Sequence, residues 1–127
     1  MNFIMMIGAV LGLMSVIMAA WIDHGLSHLV DGKMLAGLST AVRYHQLYAV
    51  FITMLGVVFV VSGNRQLNQW ILRTSLTFII GIILFSFSIY GAAALHLPVL
   101  LHLTPVGGVI LMLGWAVAII AAIKIKA

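Results

Sequence analysis

Long apolar runs separated by short polar stretches set the pattern of this chain. From Phe3 to Trp21 no residue carries a charge, and Ser15 is the one hydroxyl. Comparable runs cover about 41–61, 70–95 and 105–123. At ~1.5 Å rise per residue, a helix of about 20 residues crosses a ~30 Å hydrocarbon layer. The pattern therefore predicts an all-α integral membrane bundle, one domain over 1–127, with four transmembrane helices at about 3–21, 41–61, 70–95 and 105–123. Met1 and Asn2 supply no basic n-region and no A-x-A site follows the first run, so it reads as a span and not as a cleaved signal.

The stretch between the first two runs is mixed. Leu26, Leu29, Val30, Met34 and Leu38 fall near one helical face, while Gly25, Gly32 and Gly37 each weaken a helix by up to ~1 kcal/mol. Asp31-Gly32 is a turn signal. The expectation is a short interfacial helical segment in two pieces, broken near Gly32, with Ser39 or Thr40 capping the second transmembrane helix. Ser62 to Arg65 form a loop. His96-Leu97-Pro98 ends the third span, and Thr104 and Pro105 open the fourth as cap and first helical residue.

Composition removes the soluble alternative. Of 127 residues 65% are hydrophobic and 6% charged, against roughly 25% charged in a soluble domain. The net charge of +4 comes from scattered single residues, so no nucleic-acid partner is expected and the lipid bilayer is. Arg65, Arg73, Lys124 and Lys126 fall on one side of four crossings, with Lys33 and Arg43 on the other. That bias places both termini in the cytoplasm. With no cysteine, disulfides, thiolate metal sites and cysteine nucleophiles are excluded. Gly8, Gly12, Gly107, Gly108 and Gly114 are small-residue positions suited to helix packing. They leave open a homo-oligomer or a membrane-protein partner.

Candidate chemistry concentrates between Trp21 and Tyr48, which holds both acids, Asp23 and Asp31. Topology places all five histidines, His24, His28, His45, His96 and His102, near the outer surface. His24 and His28 are four apart and, with His45 or Asp23, form a weak candidate for zinc or copper; no metal and no cofactor is expected. Asp23 and Arg43 sit at similar depth at the ends of helices 1 and 2 and are expected to form a structural ion pair. Ser86, Ser88 and Tyr90 are polar positions inside the third span, with Ser86 and Tyr90 on one face.

No nucleophile, base and acid form a constellation, so no enzymatic activity is expected. The function expected is a non-enzymatic structural or accessory membrane component acting through helix packing. The alternatives are a small transporter or channel with a polar path near Ser86 and Tyr90, and a metal- or cofactor-binding protein on the non-cytoplasmic face.

Several motifs together resemble a known family. They are HGL at His24 to Leu26, TAVRY at Thr40 to Tyr44, the LFS–S–Y pattern of Leu84 to Tyr90, and TPVGG…LGW from Thr104 to Trp115. Nearly the whole chain resembles the YgdD/YwdK-type bacterial membrane proteins, domain-of-unknown-function family 423. The resemblance implies a small bacterial inner-membrane protein of about four helices without an assigned activity. Two departures stand out: Ile22-Asp23 precedes His24 where the family has small residues, and His45-Gln46-Leu47-Tyr48 replaces Gln-Met-Tyr-His. The family's second histidine is thus absent from its place, and an imidazole stands one turn earlier.

Overall fold

The computed structural model describes residues 1–125. Among them there is no strand. Helix α1 spans Phe3–Trp21 and runs on into a π-helical turn, Ile22–Leu26. Helix α2 spans Gly32–Val61. Helix α3, Arg65–Ile82, passes through a second π turn, Ile83–Phe87, into α4, Ser88–Ala94. A 3-10 turn, Pro98–His102, leads into α5, Leu103–Lys124. The result is four rods, Phe3–Leu26, Gly32–Val61, Arg65–Ala94 and Pro98–Lys124, each long and apolar enough to cross a membrane.

Local chemistry explains where these rods begin and end. Asn2, Asp31 and Asn64 each sit in extended backbone, and each accepts a hydrogen bond from the amide three residues on: Met5 at 3.2 Å, Met34 at 2.7 Å and Leu67 at 3.0 Å. These are N-caps, which satisfy amides that a helix leaves free at its start. The turn between α2 and α3 passes through Gly63 at φ 57°, where a side chain would be strained. After α4 the chain turns through His96 at φ 53°. Leu97 is then held out of helical geometry ahead of Pro98, the first residue of the 3-10 turn.

Helix boundaries differ from the sequence expectation in two places. The short helical segment expected after α1 is present as the π turn Ile22–Leu26, but the piece after Gly32 belongs to α2. Ser39 and Thr40 lie inside that helix, where Thr40 donates back to the Ala36 carbonyl at 3.1 Å. Asp31 is the cap, and in lipid the helix is the one conformation that satisfies backbone polar groups, which outweighs the glycine penalty. Likewise α5 starts at Leu103, and Thr104 caps nothing.

Helices α2 and α3 form the middle, with α1 against α2 and α5 against α3. Glycines set both outer contacts. A Cβ on Gly8 would lie 2.5 Å from the Thr53 backbone nitrogen, one on Gly81 2.6 Å from the Leu111 side chain, and one on Gly114 2.5 Å from the Phe78 ring. Gly56 meets the Met5 backbone and Gly107 the backbone of Leu84 and Phe85 in the same way. Asn2 adds a bond from its amide nitrogen to the Gly56 carbonyl at 2.6 Å. Phe78, Ile52, Ile82 and Leu38 are fully buried at the centre. The outer surface carries Leu13, Val16, Ile17, Met112, Leu113 and Ile119 exposed. An apolar surface around a packed interior is the arrangement lipid requires.

Candidate functional site

The deep polar side chains form a seam between helices. Side chains on a helix lean toward its own N-terminus. Helices α2 and α4 run in opposite directions, so His45 and Tyr90 lean toward one another. His45 Nδ1 and the Tyr90 hydroxyl lie 3.1 Å apart. His45 is wholly buried, with the rings of Phe87 and Tyr90 5.2 and 5.8 Å away. The backbone of Leu11 on α1 borders its other side, and its Nε2 has no hydrogen-bond partner. Ser86 donates to the Ala41 carbonyl of α2 at 2.8 Å. Ser88, two residues on and so about 200° around the helix, shares a 2.7 Å hydrogen bond with Thr104 of α5. Trp115 donates its indole N–H to the Tyr48 hydroxyl at 2.8 Å, joining α5 to α2. The Arg65–Ala94 rod is thus stapled to the α2 and α5 rods, and those two to each other.

Against the sequence expectations, Ser86 and Tyr90 do face α2 together, and Ser88 turns to α5. His45 does not lie at the outer surface. Because α2 starts at Gly32, His45 stands well inside the helix and in the core. Leu38, Ala41, His45, Tyr48, Ile52 and Gly56 are all buried at spacings of three or four, the signal in the sequence that marks this inward face.

The three candidate ligands His24, His28 and His45 are not brought together. His24 and His28 are exposed. The Ser27 amide bonds the Ile22 carbonyl five residues back, and His28 lies past that π turn, so the two do not share an α-helical face. Among the described residues no three His, Asp or Glu groups are close enough to hold a metal ion.

The Asp23–Arg43 ion pair is not formed: among the described residues no such pair lies within 4.0 Å. Asp23 borders Ala19, Ser39, Val42 and Gln46, a face of α2 centred roughly 70° from Arg43, and both charges are exposed.

The glycines also separate. Gly8, Gly107 and Gly114 are close-approach sites, whereas a Cβ on Gly12 or Gly108 would meet neighbours at 4.0 and 3.8 Å, ordinary contact distances. Gly56 and Gly81, not singled out from the sequence, do the work expected of Gly12 and Gly108.

Gly108 instead lines a groove between α2 and α5. Its outer part is a cavity of about 550 Å³ bordered by Asp31, Lys33, Gly37, Phe85, Thr104 and Gly108, among others. Below it lies a second cavity of about 470 Å³, bounded by Tyr44, Phe85, Pro105, Gly108, Met112 and Trp115 among others. Phe85, Pro105 and Gly108 belong to both. The Trp115–Tyr48 hydrogen bond and the tilted packing of Phe51 against Trp115 at 5.3 Å separate these from a smaller cavity of about 230 Å³ toward the opposite membrane face.

Fold and seam together define a small polytopic α-helical membrane protein in which several deep polar groups connect helices. The family follows from comparison with known proteins. The chain belongs to the family described as "Protein of unknown function (DUF423)", whose model matches residues 18–108. It is 30% identical to the UPF0382 inner membrane protein YgdD of Escherichia coli over 98% of this chain and 92% of that protein. A UPF0382 membrane protein of Haemophilus influenzae is 30% identical over 84% and 82% of the two chains. One from Staphylococcus haemolyticus is 29% identical over 98% of each. No solved structure matches the chain.

Proposed function

We propose that this protein is a non-enzymatic accessory component of the bacterial inner membrane, with both termini in the cytoplasm, acting through contacts of its helices with a second copy or another membrane protein. One observation carries the reading. The hydroxyls of Ser86, Ser88, Tyr48 and Tyr90 are all engaged in bonds between rods, so these four positions serve to join helices and do not line a path. Arg65, Arg73 and Lys124 at one end of the rods support the orientation, and the relatives named as inner membrane proteins support the location. The outer helices α1 and α5 present the faces available to a partner, through Leu13 and Ile17 on one side and Leu113 and Ile120 on the other.

The absence of cysteine makes site-directed cross-linking free of background. Single cysteines at Leu13, Ile17, Leu113 and Ile120 are placed in the full chain and oxidised or cross-linked in native membranes. The expected result is one discrete adduct confined to one helix face, with reconstituted vesicles showing no solute flux above empty ones. A chain that stays monomeric at every position and conducts solute when reconstituted alone overturns the proposal.

A further inference from the structure

The outer groove carries an inference independent of the one above, since it concerns a lipid and would stand with or without a protein partner. Its mouth is formed by Asp31 and Lys33, both exposed, and among the described residues neither has an ion-pair partner within 4.0 Å. Asp31 caps α2 and Lys33 lies in its first turn, where the amides that the cap leaves unbonded favour an anionic oxygen. Below the mouth the walls are apolar: Met34, Gly37, Phe85, Ile89 and Gly108, then Met112 and Trp115. From Thr104 to Trp115 along α5 the groove descends ~16 Å at 1.5 Å per residue. That matches one leaflet, half of a ~30 Å core. The Trp115–Tyr48 bridge stops it there. A transmembrane helix would need a continuous surface over the full thickness. A single acyl chain needs one leaflet and no more.

We infer that this groove binds one zwitterionic phospholipid of the ethanolamine type from the leaflet opposite the chain termini, its phosphate at Lys33, its ammonium at Asp31 and one acyl chain along Gly108 down to Trp115. The headgroup places an anion and a primary ammonium a few atoms apart, which fits the two charges at the mouth. A choline headgroup offers no N–H to the Asp31 carboxylate, and a glycerol headgroup offers no cation.

The test uses the purified full chain in mild detergent with defined dioleoyl lipids bearing ethanolamine, choline or glycerol headgroups. Retained lipid is read by native mass spectrometry and thermal stability is followed in parallel. One lipid per chain is expected, with ethanolamine retained about fivefold better than choline or glycerol, the scale of one exposed charge contact. Lys33→Ala and Asp31→Asn should each erase that preference; asparagine keeps the helix cap while removing the charge. Gly108→Leu should abolish retention of all three lipids. If Gly108→Leu fails to fold, Met112→Phe reads the same loss lower in the groove. Equal retention of the three headgroups, full retention in Gly108→Leu or Met112→Phe, or a protein segment cross-linked into the groove from a cysteine at Met112 would each overturn the inference.

Discussion

Adjacent glycines on α5 offer a sharp test of how the rods pack. Gly107 and Gly108 share one helix and one depth, yet Ala would meet different surroundings at each. At Gly107 the new methyl would lie 2.7 Å from the carbonyl carbon of Leu84 and the Cα of Phe85. Those atoms belong to the π turn Ile83–Phe87, a backbone that cannot swing aside as a side chain can. At Gly108 the methyl would sit 3.8 Å from the Phe85 ring, beside open groove.

Replacing Gly by Ala inside a helix gains up to ~1 kcal/mol at either position. Forcing a methyl into a filled contact costs ~1–3 kcal/mol. Gly107→Ala should therefore lose up to about 2 kcal/mol net, and Gly108→Ala should gain up to ~1 kcal/mol. The propensity gain cancels in the comparison, leaving packing alone. Reversible unfolding in mixed micelles of rising dodecyl sulfate, followed by tryptophan fluorescence, gives both numbers on one scale. Should Gly107→Ala unfold at the same or a higher sulfate fraction than Gly108→Ala, the close approach of α5 to the π turn is wrong.

Three further outcomes follow from the same geometry. A double-mutant cycle of His45→Phe and Tyr90→Phe, read by the same unfolding, should show a coupling of about 0.6 kcal/mol and no more than ~1.7 kcal/mol, the range of hydrogen bonds between helices in lipid; zero coupling removes the His45–Tyr90 contact. Asp31→Ala should cost ~1 kcal/mol by uncapping α2, while Ser39→Ala changes stability by under ~0.5 kcal/mol; the reverse order would place the helix start near Ala41 after all. Asp23→Asn and Arg43→Gln should be additive within ~0.5 kcal/mol, because the two side chains do not meet, and clear non-additivity would restore the ion pair.

How much of this was readable in advance depends on the physics involved. The four rods were legible because lipid demands long uncharged runs, and Phe3 to Trp21 or Thr104 to Ile123 have no other reading. The packing role of Gly8, Gly107 and Gly114 was legible from small-residue spacing. The start of α2 was not, because Gly32 and Gly37 carry a penalty measured in water that a membrane overrides. That boundary error moved His45 from the interior to the surface and hid its partner Tyr90. The two π turns left no mark in composition, and so neither did the backbone approach at Gly107. Which glycines of a stripe touch and which border a groove, as with Gly107 and Gly108, depends on the azimuth of a neighbouring helix. One sequence does not contain that angle.

The middle position of the Arg65–Ala94 rod bears on how the chain enters the bilayer. Half of its most apolar window is covered by protein, against roughly a quarter for the other three, and it carries Thr74, Ser75, Ser86 and Ser88 buried. Released alone into hydrocarbon it is the least comfortable of the four, so it gains most from an already formed α1–α2 hairpin waiting beside the insertion site. Biogenesis of this molecule is thereby tied to the order of synthesis, and a permuted chain that emits this rod first should insert poorly even though its finished contacts would be identical.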